Sequence, residues 1–312
     1  MTGDTSRPAR SDAFDDVDEG DLRDAFAATD YVAEDEIVTT VLLSLHLGKP
    51  LLIEGEPGSG KTELGKVLAA GFETELIRLQ CYEGLTAENT LYEWNYTKQL
   101  LAVQAGERGV AAEASVFDEE YLLERPLLRA LTAGGDRPPV LLIDEIDRAD
   151  EEFEALLLEV LSDFQVSIPE LGTIAAERPP VVVITSNRTR GLSDALKRRC
   201  LYLHIEPPSF EKERRIVRQK VPKLEASVAD AVCGAVGRLR EEPLLKQPGV
   251  AETLDWARAL AELRSPDADG ELAPDEIRNT LGCLLKEVED VERMDEALME
   301  EVLDAARSAA EA

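Results

Sequence analysis

Leu51-Leu52-Ile53-Glu54-Gly55-Glu56-Pro57-Gly58-Ser59-Gly60-Lys61-Thr62 is the stretch that decides the fold of this chain. Three apolar residues run into a glycine-rich loop, and the loop runs into Lys-Thr. Gly55 through Thr62 fits G-x-x-x-x-G-K-[ST], a loop that cradles phosphates. Glycines let the backbone turn tightly and aim successive N–H groups into one concavity, which suits an anion. Lys61 can reach the β- and γ-phosphates as a point charge, and the Thr62 hydroxyl can ligate Mg2+. The pattern from Glu63 to Phe72 is helical, so the phosphates also meet a helix N-terminus. An apolar strand before the motif and a helix after it separate it from a chance glycine turn. The motif specifies a nucleoside triphosphate and leaves open the work that it drives.

Four further apolar runs read as strands: Glu75 to Leu79, Val140 to Ile143, Val181 to Thr185 and Leu201 to Ile205. Continuous rather than alternating apolar runs suit parallel strands buried on both faces. In open α/β sheets ligands sit at the carboxyl ends of strands. Asp144 and Glu145 close the Val140 run. Asp144 would hold Mg2+, directly or through water, and Glu145 would orient and deprotonate the attacking water. Asn187 follows the Val181 run, where an amide can bond a γ-phosphate or position the water. The short helix Leu192 to Cys200 then ends in Lys197-Arg198-Arg199. Two readings of that cluster stand. A helix C-terminus favours positive charge, and an arginine there can also reach a neighbouring subunit's γ-phosphate.

A formal net charge of -30 over 312 residues repels nucleic acid phosphates and anionic membrane surfaces. Many carboxylates, Arg favoured over Lys and only 5% aromatic residues fit a halophilic protein kept soluble in a salty cytoplasm. Hydrophobic residues at 44% suffice for a real core. Cys81, Cys200, Cys233 and Cys283 lie too far apart for zinc spacing. His46 and His204 are too scattered for a metal site and read as partly buried structural residues. There is no signal peptide and no membrane-length apolar run, so the expected location is cytoplasmic with reduced thiols.

Three regions are expected: an acidic, partly disordered N-terminal tail over 1–34, a P-loop core over 35–206 and an all-α domain over 207–312. Within the tail, Asp21 to Ala28 has helical character. Asp35 to Leu47 carries Ile37, Val38, Val41, Leu42 and Leu45 at helical spacing and stops at Gly48-Lys49-Pro50. The segment from Cys81 to about Glu113 is the most aromatic part of the chain. It is too long for a plain connection. It reads either as an insertion that faces a partner or as a long connection anchored by Tyr82, Tyr92, Trp94 and Tyr96. Tyr121 to Ala133 and Asp150 to Phe164 read as helices, and Gln165 to Ala176, around Pro169-Glu170-Leu171-Gly172, as a hairpin. After Pro207-Pro208 the patterns are helical only, at 210–220, 229–241, 250–263, 274–286 and 294–310.

A strand–P-loop–helix, a strand ending Asp-Glu, a strand ending Ser-Asn, an Arg-rich helix end and a helical lid, in that order, resemble the AAA+ ATPases. The resemblance covers about residues 30 to 312. The run Leu142-Ile143-Asp144-Glu145-Ile146-Asp147-Arg148-Ala149 is similar to the Asp-Glu-Ile-Asn-Arg-Ala run of the MoxR group, with Asp147 in place of Asn. Thr253-Leu254-Asp255-Trp256-Ala257 looks like the subset with the CoxD-, NorQ- and CbbQ-type accessory ATPases.

The resemblance implies a five-stranded parallel P-loop AAA+ core with an all-α lid. It implies that Gly55, Glu56, Pro57, Gly58, Ser59, Gly60, Lys61 and Thr62 are Walker A, and that Asp144 and Glu145 are Walker B. Asn187 is then sensor 1, and Arg199 the arginine finger acting in trans, with Arg198 as the alternative. Such lids often carry a sensor 2 arginine where Val250-Ala251-Glu252-Thr253 supplies none, and Arg258 lies one turn later. The cofactors implied are ATP and Mg2+, with Thr62 and Asp144 on the metal. The implied assembly is a homo-oligomeric, hexameric ring that matures or activates a metalloenzyme, of the carbon monoxide dehydrogenase kind, with a von Willebrand A-domain protein. The alternative is a nucleic-acid-remodelling AAA+ motor. That reading wants basic pore loops, and the inserted segment offers only Lys98 and Arg108 among several acids. No Asn-Lys-x-Asp motif points to guanine. A scaffold that binds ATP without hydrolysis has no use for Glu145, Asn187 and Arg199 together.

Overall fold

The computed structural model describes residues 12–106, 117–169, 171–264 and 271–311. The chain divides into two compact units. The first takes in the described residues up to Thr29, then Ala33–Glu54 and Thr62–His204; the second takes in Asp30–Val32, Gly55–Lys61 and Ile205 onward.

The first unit begins inside the expected tail. Residues 1–11 lie outside the described residues, but from Asp12 the chain is folded. Helix α1 (Glu19–Ala28) is opened by a capping box, in which Asp18 accepts from Asp21 N at 2.9 Å and Asp21 accepts from Asp18 N at 3.0 Å. It buries Leu22 and Phe26, while the Phe14 ring packs edge-on against Phe72 at 5.0 Å. Helix α2 (Asp35–Leu47) buries Ile37, Val38, Val41 and Leu45 and ends at Gly48, whose φ of 59° suits glycine.

Strand β1 (Leu51–Gly55) is buried at every position, and α3 (Lys61–Gly71) follows its loop. Strand β2 (Leu76–Gln80) leads into the aromatic segment: α4 (Ala87–Thr90), β3 (Tyr92–Trp94), α5 (Tyr96–Gly106), β4 (Leu122–Glu124) and α6 (Pro126–Thr132). Strands β3 and β4 pair antiparallel. The helix expected over 121–133 therefore starts only at Pro126. Proline at the first helical position holds the preceding Arg125 extended, at φ -97° and ψ 170°, and frees 122–124 to pair.

Next come β5 (Val140–Asp144), α7 (Glu151–Asp163), the antiparallel hairpin β6 (Gln165–Ile168) and β7 (Gly172–Ala175), β8 (Val181–Ser186), α8 (Asp194–Arg199) and β9 (Leu201–Ile205). Five strands form one sheet in the order β2-β5-β8-β1-β9. Pairings β2–β5, β5–β8 and β8–β1 are parallel. The central strands are buried on both faces, as their apolar runs require. The edge strands β2 and β9 alternate instead. That alternation turns His204 outward, so it is exposed rather than partly buried. His46 is half-buried, with its Nε2 2.8 Å from Val17 O. Leu141, Ile143, Ile184, Phe153 and Leu157 belong to the apolar core beneath the sheet. Truncating Phe153 to Ala there costs about 3–5 kcal/mol.

The second unit is helical from Phe210: α9 (Phe210–Lys220), α10 (Ala226–Arg240), α11 (Val250–Leu263), α12 (Pro274–Leu284), α13 (Val288–Glu292) and α14 (Glu296–Glu311). Helix α13 is the addition to the expected set. It is too short to show a period, and Asp290, fully buried within it, accepts from Leu245 N at 2.8 Å and Lys246 N at 3.1 Å. Buried Trp256 donates to Thr280 Oγ1 at 2.7 Å and so joins α11 to α12. Among the described residues no helix is long and apolar enough to cross a membrane.

Candidate nucleotide site

The loop Gly55–Lys61 is shaped by its glycines. A Cβ on Gly55 would lie 2.2 Å from the backbone oxygen of Ile205, so only glycine lets the chain leave β1 there. Gly60 has φ 90°, in the region that side chains disfavour. Glu56, Pro57, Gly58 and Gly60 are exposed and Ser59 is half-buried. Lys61 is buried, and its Nζ donates to Gly55 O at 2.9 Å and Glu56 O at 2.6 Å. Ser59 Oγ is buried and makes no hydrogen bond among the described residues. A buried hydroxyl without a partner, two residues from a lysine ammonium, fits a loop that receives an anion.

In the first unit the carboxyl ends of β2, β5 and β8 meet. Asp144 is almost fully buried. Its Oδ1 accepts from Thr62 Oγ1 at 2.9 Å and Thr185 Oγ1 at 2.6 Å, and its Oδ2 accepts from Arg78 Nη2 at 2.5 Å. Adjacent ligands of an octahedral ion with bonds of about 2.0–2.1 Å stand roughly 2.9 Å apart. The Thr62 and Asp144 oxygens have that spacing and are the hard donors Mg2+ prefers, so the pair fits the ion. Among the described residues no group of three His, Cys, Asp or Glu side chains is placed to hold a metal. Magnesium here would therefore depend on waters and phosphate oxygens for its other ligands.

Glu145 is left-handed, with φ 57° and ψ 51°. For a bulky residue that costs about 1 kcal/mol or more and occurs mostly at functional positions. Its N–H donates to Thr185 Oγ1 at 3.0 Å, which helps hold the turn. Its carboxylate accepts from Asn187 Nδ2 at 3.2 Å and Gln80 Nε2 at 3.0 Å, and Arg148 pairs with it at 3.0 Å. The two residues expected to act on water are thus brought into contact from β5 and β8. Asp147 is buried beneath them and accepts from Asn187 N at 3.0 Å, Thr189 N at 3.0 Å and Thr189 Oγ1 at 2.5 Å. Burial alone would push Asp147 up. The bonds from the Thr189 hydroxyl and from the Thr189 and Asn187 N–H groups outweigh it and hold the carboxyl below its ordinary value.

Arg198 and Arg199 stand apart from this group. Both are exposed at the end of α8. Among the described residues, no hydrogen bond or ion pair joins either to Asp144, Glu145 or Asn187. They border a cavity of about 670 Å³ with Lys49, Leu161 and Phe164. In the second unit Arg258 pairs with Asp255 on its own helix at 3.2 Å.

Arg78, Gln80 and Thr185 were not singled out by the sequence. Their signal was present but quiet: polar residues at the carboxyl ends of two strands already read as strands. Arg78 also donates to Gln80 Oε1 at 2.6 Å, so β2 presents the two as one linked pair.

A parallel sheet in which a phosphate-type loop follows a central strand has the pattern of a nucleotide-binding α/β protein. Residues 50–200 match the AAA domain of the dynein-related subfamily. The match runs from β1 through α8, somewhat less than half of the chain, and supports an AAA+ ATPase. An uncharacterized protein of Staphylococcus haemolyticus is 25% identical over 241 residues, 75% of this chain and 84% of the relative. The uncharacterized protein YehL of Escherichia coli is 27% identical over 199 residues, and the alignment spans 61% of this chain but only 50% of YehL. Among solved structures, the Thermotoga maritima RuvB Holliday junction branch migration motor is similar at 18% identity and a TM-score of 0.47, covering 85% of this chain and 73% of that one.

Proposed function

We infer that the protein is a magnesium-dependent, MoxR-type AAA+ ATPase that hydrolyses ATP to remodel, mature or activate a partner protein. The observation that carries the hydrolytic part is the contact of Glu145 with Asn187 and Gln80, beside the Thr62–Asp144 pair. Gly55, Glu56, Pro57, Gly58, Ser59, Gly60 and Lys61 hold the phosphates. Thr62 and Asp144 hold Mg2+, which supplies charge neutralisation on the phosphate oxygens. Glu145 orients the attacking water and accepts its proton. Gln80 and Arg148 hold Oε2 of that carboxylate and the Asn187 amide donates to Oε1, which together fix its direction. Asn187 is itself fixed through its backbone by Asp147. Arg199, with Arg198 as the alternative, serves the site of the next subunit. Their separation from Glu145 in their own chain supports use in trans, and a composite site of this kind needs a ring, hexameric in this reading.

The partner reading rests on the Leu142–Ala149 run and on the net charge of -30, which disfavours nucleic acid. A von Willebrand A-domain protein and a metalloenzyme client, in a salty cytoplasm, are the partners it names. Tagged Glu145→Gln protein, expressed in a salt-matched host and held with ATP, tests it. Co-purification of a von Willebrand A-domain protein or a metalloenzyme subunit supports the reading. Nuclease-sensitive nucleic acid in the eluate overturns it in favour of a nucleic-acid motor.

A further inference from the structure

Glu154 lies on the first turn of α7 and is almost fully buried, an unusual place for a carboxylate. It is not buried idle. Its Oε2 accepts from Ser193 N at 3.0 Å. Its Oε1 lies 2.5 Å from Arg190 Nη2, a charge contact rather than an aligned hydrogen bond. The same Arg190 Nη2 donates to Ala149 O at 2.7 Å. Ser193 is the N-cap of α8, and its Oγ accepts from Leu196 N at 3.3 Å. Helix α8 is short and ends in Lys197, Arg198 and Arg199.

These contacts continue a series. Asp147 takes the N–H groups of Asn187 and Thr189, Ala149 takes Arg190, and Glu154 takes Arg190 and Ser193. The loop from Asn187 to Ser193 is thus fastened along its length to the segment from Glu145 to Glu154. One end of that loop carries the amide that touches Glu145. The other end starts the helix that carries the cations. Glu154 is buried while Arg190 is half-buried, and removing Arg190 would leave the buried carboxylate without its opposite charge, so the contact resists being broken.

We propose that Glu154, with Arg190, is a positioning residue for the cationic end of α8, setting where Arg198 and Arg199 are presented to the next subunit. The inference rests on the proposed ring ATPase with a finger in trans. Glu154 acts through α8 and touches no reacting atom. Its own chain's Glu145–Asn187 contact does not need it, since Asp147 holds that end of the loop.

The test is subunit mixing. Glu154→Gln alone lowers turnover about tenfold or more, as misplacement of a catalytic group by about 1 Å does, at an unchanged half-saturating ATP concentration. Glu145→Gln alone is inactive but presents an intact finger. An equimolar mixture, assembled together, recovers about one quarter of wild-type turnover. That is the share of interfaces in random rings at which an intact site meets an intact finger. Arg190→Gln behaves in the same way. Recovery no greater than the mean of the two pure variants overturns the proposal, because a residue that served its own site or the fold gains nothing from a neighbour. A Glu154→Gln protein that fails to fold, beside an Arg190→Gln protein with full turnover, overturns it as well. Arg199→Ala and Arg198→Ala, each mixed with Glu145→Gln, separate the two levels. If one of them recovers and Glu154→Gln does not, the ring reading stands and the positioning role falls. If wild-type protein does not turn over ATP, both fall.

Discussion

Thr62 Oγ1 donates to Asp144 Oδ1 over 2.9 Å, joining two residues 82 positions apart in the chain. The bond links the first turn of α3 to the end of β5. Thr62→Ala removes one of the hard oxygens and leaves Asp144 with Thr185 and Arg78. Stability should fall by only about 1 kcal/mol. Magnesium-dependent phosphate release should fall about a hundredfold, whereas Thr62→Ser should stay near wild type. Phosphate release across a Mg2+ titration, alongside a urea melt, separates the two effects.

Asp147 takes donors on both oxygens, and an amide cannot match that. In Asp147→Asn, either Thr189 or Asn187 N–H faces an amide NH2 group. The expected loss is about 1–3 kcal/mol in urea unfolding, with turnover reduced where the amide turns its NH2 group toward Asn187 and so removes that residue's anchor. Unchanged stability would show that the loop does not depend on the carboxylate.

Asp230 sits buried in the second unit between Arg214 Nη2, at 2.7 Å, and Arg218 Nε, at 2.9 Å. Burial alone would raise this carboxyl, but the bonds from Arg214 and Arg218 hold it below the ordinary value of 3.8. A depressed folded-state value contributes stability that is present above the unfolded value and lost as pH falls through the folded one. The gap in melting temperature between wild type and Asp230→Asn should be constant from neutral pH down to about pH 5 and close below 3.8. Circular dichroism melts over that range check it.

Burial pushes the thiols of Cys81, Cys200 and Cys233 up to about 12, with the carboxylates Asp144, Asp147 and Glu145 adding to the effect at Cys81. At pH 8 these groups are thiols, not thiolates, and are shielded as well. A thiol-reactive dye should label half-buried Cys283 first in the native protein, and all the cysteines after denaturation. Fast labelling of Cys81 would mean that the edge of the sheet opens.

The strands β1, β5 and β8 were legible because buried parallel strands read as unbroken apolar runs, and the residues closing them follow directly. The contact of Glu145 with Asn187 was legible only as shared strand ends; that the side chains touch depends on the β5–β8 register. Arg78 and Gln80 were hidden because on an edge strand polar residues look like a solvated face. The helix at Asp21 to Ala28 was legible, whereas the packing of Phe14 on Phe72 and the burial of Leu22 and Phe26 were hidden by the acidic composition. The false helix at 121–125 came from reading apolar spacing through Pro126. Glu154 carries no signal in the sequence that sets it apart from its acidic neighbours; its burial is set by the loop that crosses it.

ATP hydrolysis by assembled wild-type protein and by Glu145→Gln, at saturating ATP and Mg2+, decides whether Glu145 is the general base of an ATPase. Steady turnover is expected for wild type. Glu145→Gln should bind ATP undiminished, with turnover lowered about a hundredfold or more, the share expected of a lost general base. Wild-type turnover in Glu145→Gln, or none in the wild type, would contradict that role.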